Sequence, residues 1–433
     1  MVTTDTPGGP PMLGTRLGRL RVVVILGSLS ALPPLSIDAY IPGLPQLTHS
    51  LGATAAAAQV SLTAFVVGLS LGQLVVGPLS DAVGRRRPLA VGMAAFTLAS
   101  LACVFARDIA TLDVLRALEG FAGGAGVVVS RAVVRDLYSG AAAARFFASL
   151  MLVNGLAPVL APILGAQLLR FTSWRGVFVG LAAIGLVLLL ALLVGLPETL
   201  PPGRRRSGGL TSTLRTFWRL LHDRSLVGYS LAGALTFAAM FAYISGSPFV
   251  LQDIFGLSPQ AFSGVFATNS VGIIACSQVS GRLAHRVGPG RLLAVGIAGS
   301  VTGGTVLLVS VLAGAGLPGV LPGLFLVASS VGLVFPNATA LALAEHGRDA
   351  GAASALMGVL QFLVGGLAAP LVGLGGQDTA VPMGVVIATC SAAGLLSWLQ
   401  LVRPGRARPA AGSAGQPAEQ GGRHADAQDR GDH

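Results

Sequence analysis

The chain has 433 residues, of which 53% are apolar and only 10% are charged, against about 25% charged in an average soluble domain. The charges fall in short clusters between long apolar runs, which excludes a water-soluble globular class and makes the bilayer the main solvent. The net charge of +11 does not signal nucleic-acid binding, because there is no soluble basic domain and no recognition motif to receive a duplex.

Residues 1–20 are read as a disordered cytoplasmic N-terminus, without the cleavage site of a secretory signal. A spanning helix needs about 20 mainly apolar residues. Twelve runs qualify, near 23–44, 58–79, 88–106, 111–132, 147–169, 175–196, 226–250, 261–281, 292–314, 318–342, 351–375 and 381–402. The expected fold is therefore an all-α integral membrane protein. Its N-terminal half covers 21–196, a cytoplasmic linker 197–225, the C-terminal half 226–402 and a disordered cytoplasmic tail 403–433. Arginines flank one side: Arg16, Arg19 and Arg21 lead the first span, Arg85, Arg86 and Arg87 follow the second, and Arg204, Arg205 and Arg206 sit in the linker. The positive-inside rule then places both termini in the cytoplasm, and the amphipathic stretch 210–221 on the membrane surface.

The two halves carry a repeat. GPLSDAVGRRRPLAVG at 77–92 and GRLAHRVGPGRLLAVG at 281–296 match at nine of 16 positions, each time after the second span of its half, as a duplicated six-helix unit requires. Cys103, Cys276 and Cys390 lie inside apolar runs without metal-ligand spacing. The histidines fall in loops or the tail, and a chain with no Lys holds no Walker motif. Neither an intramembrane enzyme nor ATP-driven transport is indicated, and no cofactor or metal is called for. A channel fits the Pro- and Gly-marked two-half repeat less well than rocking transport does.

Charge inside a membrane is costly, about 2.5–3.5 kcal/mol per Asp or Arg at a helix centre, so intramembrane ionisable residues mark function. Asp38 in the first span and Arg116 and Glu119 in the fourth are expected at a similar depth, with Arg116 and Glu119 on one helical face. A static ion pair that fixes packing is the alternative reading. Tyr40, Phe237, Phe241, Tyr243 and Gln361 are candidate cavity residues; an interfacial or lipid-facing place for the aromatics is the other reading.

Gly77-Pro-Leu-Ser-Asp81-Ala-Val-Gly84-Arg85-Arg86-Arg87 resembles the loop between helices 2 and 3 of the major facilitator superfamily. With Asp136 of the RDLY run, this network would latch one conformation of alternating access; the second copy carries His285 in place of Asp81. Within the superfamily, LSIDAYIPGLPQL (35–47), GQLVVGPLSDAVGRRRP (72–88), RALEGFAGGAGVVVSRAVVRDLY (116–138) and FAYISGSPFVLQDIFGLSPQAF (241–262) are similar to the drug:proton antiporters of the bicyclomycin/chloramphenicol-resistance branch. Gly155, Pro158, Pro162 and Gly165 resemble its helix-closure motif, departing from it at Ala161 and Ala166, and Glu119 stands where that family usually has Gln.

The resemblance implies export of small amphipathic drugs, phenicol- or bicyclomycin-like, in exchange for protons, by a single chain in the cytoplasmic (inner) membrane. Export of an endogenous metabolite or self-made antibiotic on the same fold stays open. So does the choice between Asp38 and Glu119 as main proton carrier.

Overall fold

The structure, a computed structural model, describes residues 16–138, 146, 156–205, 210–344, 346, 350–376 and 379–402. Its elements are helical. They are α1 Arg16–Asp38, α2 Leu44–Leu51, α3 Ala55–Val83, α4 Arg86–Val104, α5 Ile109–Leu137, α6 Leu156–Leu168, α7 Trp174–Gly195 and α8 Leu210–Leu220, then α9 Arg224–Pro248, α10 Pro259–Val287, α11 Pro289–Leu312, α12 Gly316–Ala344, α13 Ala350–Gly373 and α14 Val381–Leu401. Among the described residues eleven helices are long and apolar enough to cross a membrane, and the shorter α6 lies in the fifth expected span. The first part of that span, with Gly155, lies outside the described residues. So do parts of the expected linker, the first 15 residues and the tail from 403.

The helix ends follow ordinary capping chemistry. Thr54, Asp108, Asp223 and Ser258 each turn a side-chain oxygen onto a free N–H at the start of α3, α5, α9 and α10, filling donors that a helix leaves unpaired. The repeat is also visible in the backbone, because α3 and α10 have the same length of 29 residues. Each ends at a glycine in a positive-φ conformation, Gly84 at 104° and Gly288 at 86°. Two expected spans prove to be broken. The run 23–44 ends as a helix at Asp38 and turns through the 3-10 segment Ile41–Gly43 into α2; the run 226–250 passes after Pro248 into a π-helical turn, Phe249–Ile254. Asp38 is thus the last residue of α1, at a bend.

The first six spans and the last six meet along α3 and α13, and at α6 against α10. The end of the bundle where α1 finishes and α3 begins is termed distal, the other proximal. Among the described residues six side-chain hydrogen bonds join the halves, four toward the distal end and two reaching Pro162 at the middle and Pro158 in the proximal part of α6. Gln59 Nε2 donates to the Ser245 carbonyl at 3.1 Å, Thr63 Oγ1 to Gly366 at 2.6 Å and Gln252 Nε2 to Pro42 at 3.3 Å. Gln260 Nε2 donates to Ala166 at 3.0 Å, Ser263 Oγ to Pro162 at 2.9 Å and Ser270 Oγ to Pro158 at 3.4 Å.

Four of the six acceptors are carbonyls that their own helix leaves without a donor. Proline lacks an N–H and so orphans the carbonyl four residues before it: Pro370 frees Gly366, and Pro162 frees Pro158. At the break after α9, Phe249 N–H bonds to Gly246 instead of Ser245; at the end of α6, Arg170 N–H bonds to Gln167 instead of Ala166. An orphaned carbonyl in a membrane needs a new donor, and here the other half provides it. On the proximal side the contact is apolar, with Leu74 of α3 against the cluster of Phe217, Leu220 and Leu356.

The distal seal also depends on close approach. A Cβ on Gly373 of α13 would overlap the Ala56 backbone at the start of α3. Gly373→Val is therefore expected to hold the distal end open: a cysteine placed there in the variant should react with a membrane-impermeant thiol reagent added on that side several-fold faster than in the wild-type background. Equal rates would contradict this account of the seal.

Candidate functional site

Three groups of side chains carry the chemistry. The first is a closed charge cluster inside the N-terminal half. Arg116 and Glu119 are one turn apart on α5, both fully buried, with Arg116 Nη1 2.6 Å from Glu119 Oε2. Glu119 Oε1 accepts hydrogen bonds from Ser36 of α1 at 3.0 Å and Ser100 of α4 at 2.9 Å. Arg116 also donates to Ser36 Oγ at 2.9 Å and to the Ser36 carbonyl at 3.3 Å. Its guanidinium lies 4.4 Å from the Phe65 ring centre, 5.0 Å from Tyr40 and 5.5 Å from Phe178. Only its Nε is left without a partner. The pair has the hydrogen bonds that a buried ion pair needs to offset desolvation.

Tyr40 belongs to this cluster. Its hydroxyl hydrogen-bonds Ser61 at 2.9 Å and its ring packs on Phe178, so it faces into the N-terminal half and supports Arg116.

Asp38 is placed differently. It is 5% exposed, and among the described residues no hydrogen bond or ion pair reaches its carboxyl. Arg116, two residues from it through Ser36, is engaged by Glu119. The structure therefore brings Arg116 and Glu119 together and leaves Asp38 apart, within electrostatic range of Tyr243 in the opposite half. Tyr243 accepts a hydrogen bond from Asn269 Nδ2 at 2.9 Å and stacks on Phe266. Nearby in that half, Phe237 contacts the rings of Phe241, Phe335 and Phe362, while Gln361 is half-buried on α13.

The third group sits at the proximal end of the N-terminal half. Arg85 donates from Nη1 to Asp81 at 2.5 Å and to Ser80 at 2.8 Å, and from Nε to Asp136 at 2.8 Å. Glu198, after α7, accepts the backbone N–H of Arg85 at 2.8 Å and of Arg86 at 3.2 Å. A side chain on Gly84 would meet this carboxylate at 2.6 Å. Arg86 caps the Leu193 carbonyl of α7, and Arg87 is exposed. Gly77 faces Val128 of α5. Each of these partners belongs to the N-terminal half except Glu198, which opens the linker. At the repeat position, His285 is exposed and has no hydrogen bond or ion pair among the described residues.

Of the helix-closure motif, the Pro158 and Pro162 carbonyls meet α10 as described above, while Gly165 abuts the Ala39 backbone of the α1 bend. Sequence reasoning missed Ser36, Ser100, Glu198 and Asn269. Serines in apolar helices give no periodic signal, and Glu198 sits in a Pro-rich loop where an acid reads as solvated.

Two outcomes follow from these contacts. Glu119→Ala strands a buried guanidinium and is expected to cost about 3–5 kcal/mol, read as a lower Tm in detergent, whereas Arg116→Met with Glu119→Leu should recover most of it. Burial alone would push the Glu198 carboxyl up, but the N–H groups of Leu200, Arg85, Arg86 and Thr199 outweigh it and hold the group below its ordinary range. Its stabilising effect is then present above about pH 4 and is lost as the pH falls through its lowered value. Glu198→Gln should lower Tm at neutral pH, with the gap to wild type closing in acid; a gap independent of pH would contradict the staple.

With this geometry in view, the comparisons are direct. Residues 26–370 match the family model described as Major Facilitator Superfamily. The chain is 40% identical over 387 residues to the uncharacterized MFS-type transporter YdgK of Bacillus subtilis, covering 89% of this chain and 96% of that one. It is 29% identical over 376 residues to a bicyclomycin resistance protein homolog of Haemophilus influenzae, covering 87% and 94%. Among solved structures, the xylose transporter XylE from Escherichia coli superposes with a TM-score of 0.66 at 13% identity, covering 88% of this chain and 97% of that one, which is a likeness of fold. The chain belongs to the major facilitator superfamily, as a multi-pass membrane transporter.

Proposed function

We propose that this protein exports small amphipathic drugs, phenicol- or bicyclomycin-like, in exchange for protons across the cytoplasmic (inner) membrane, working as a single chain with both termini in the cytoplasm. The arginine bias supports the orientation and makes the distal end extracytoplasmic. The observation that carries the coupling is Asp38: a buried carboxyl without a counter-ion among the described residues, at the α1 bend that the distal seal covers.

A carboxyl free of an ion pair exchanges a proton without first breaking one, which Glu119 cannot do. Burying an ionised carboxylate without a partner is costly, so ionised Asp38 opposes closure of the distal seal and neutral Asp38 permits it. With the distal end open, Asp38 takes a proton from outside and the seal closes. With the proximal side open, a drug entering beside Asp38 displaces the proton inward, and the loaded protein reopens distally. Drug and proton compete for one place, which is the requirement for exchange.

Within this reading Arg116 and Glu119 are positioning residues, since through Ser36 they fix the end of α1 that bears Asp38. Phe237, Phe241, Tyr243 and Gln361 offer an apolar wall with few polar groups, as drug cavities do. The Asp81–Arg85–Asp136 network and the α6–α10 closure keep the roles of latch and seal.

Asp38→Asn keeps the volume and removes the titration. In proteoliposomes it is expected to fold and to bind chloramphenicol, yet to lose transport driven by an imposed pH gradient by at least about 100-fold, a loss on the scale seen when an essential acid–base group is removed. Wild-type transport by the variant would remove Asp38 from the mechanism.

A further inference from the structure

On α5, Arg131 and Arg135 stand one turn apart, both exposed, and neither makes a hydrogen bond or ion pair among the described residues. Among the described residues the charged group that acts on Arg131 is Arg135 itself and not a carboxylate. The acids nearest in sequence and along the same proximal rim, Asp136 and Asp81, are taken by Arg85. Like charges at this spacing on a helix repel.

The face they occupy is informative. The exposed apolar residues of α5, Val114, Leu118 and Phe121, form a stripe suited to lipid. At 100° per residue, Arg131 lies roughly 80–140° around the helix from those three. It falls instead in line with Asp113, in the middle of the face that Gly120 and Gly124 turn to α3. α3 is the helix that meets the opposite half. A guanidinium six residues from the proximal end of α5, with no partner among the described residues, extends to water there and not into hydrocarbon, which on the α3 face places it at the mouth of the interior path.

We propose that Arg131 and Arg135 form an anion-recognition site at the proximal mouth of the transport path, which takes the carboxylate, phosphate or similar anionic group of a substrate. Two guanidiniums on one turn can share the oxygens of such a group in charge-assisted hydrogen bonds, and binding relieves their mutual repulsion. Together with Asp38 at the distal end, the path carries a cation near one mouth and an acid near the other. Anionic and neutral amphiphiles are then favoured over cationic ones. The inference rests on the export reading only in taking this interior as the path of the substrate.

The test is equilibrium binding to the purified full-length protein in detergent. Fluorescein serves as the anionic probe, followed by anisotropy, and chloramphenicol as the neutral one, followed by tryptophan quenching. Arg131→Gln and Arg135→Gln are each expected to weaken fluorescein binding about ten-fold, with a smaller loss for Arg131→Lys, while chloramphenicol binding changes less than about two-fold. The wild-type fluorescein affinity should fall with added salt and that of the variants less so. Unchanged fluorescein binding in Arg131→Gln would overturn the proposal. So would a variant that loses bound phosphatidylglycerol in nanodiscs but keeps fluorescein, since the arginines would then hold a lipid headgroup. Fluorescein binding that depends on Arg131 in a protein unable to export chloramphenicol would refute the export reading and leave this site standing.

Discussion

An unpaired backbone carbonyl is too costly to leave in a membrane, and this fold is arranged around that constraint. Pro162, Pro370, the turn after Pro248 and the end of α6 each release a carbonyl that its own helix no longer serves. Donors from the opposite half, Ser270, Thr63, Gln59 and Gln260, satisfy them. Each such bond is worth about 0.5–1.5 kcal/mol net, so the set is of the order of the gap between two conformations of a transporter. Helix breaks thereby become the reversible contacts between halves. The proximal ends, joined by apolar packing at Leu74, are held by weaker and less directional forces.

Charge is divided along the same lines. Within the N-terminal half two arginines are neutralised in place: Arg116 by Glu119, and Arg85 by Asp81 and Asp136. With the bonds from Ser36 and Ser100 to Glu119 and from Arg86 to the Leu193 carbonyl, these pairs tie α1, α3, α4, α5 and α7 into one body. Asp38 stands outside both pairs and at the junction between bodies, where protonation has the largest leverage on the seal. A glutamate at 119 in place of the usual amide closes the arginine's charge inside the half and leaves Asp38 without that counter-ion.

Much of this was legible in the sequence. Twelve apolar runs, the 77–92 and 281–296 repeat and the arginine clusters carry the fold, because hydrocarbon thickness and loop charge are read directly from composition. The backbone breaks at Asp38 and Phe249 were not, since an apolar run has the same hydropathy whether straight or bent. The similar depth expected of Asp38, Arg116 and Glu119 did not say which of them pair. Depth can be counted along a helix, but the rotation of one helix against another depends on packing, here on Ser36 and Ser100, which leave no periodic trace. Tyr40, two residues beyond Asp38, was open between a cavity and an interfacial place, and its ring packs on Phe178 within the N-terminal half because the chain has already left the α1 helix.

The central claim is that the charge state of Asp38 controls the distal seal, and an inter-spin distance across that seal tests it most directly. Spin labels at Phe171→Cys and Thr379→Cys, both exposed at the distal end, would be placed in a background with Cys103, Cys276 and Cys390 changed to alanine. The wild-type distance distribution should shift from short to long as pH rises, while Asp38→Asn stays short at every pH. A variant that opens with pH as the wild type does, or a wild type whose distance ignores pH, would contradict the account.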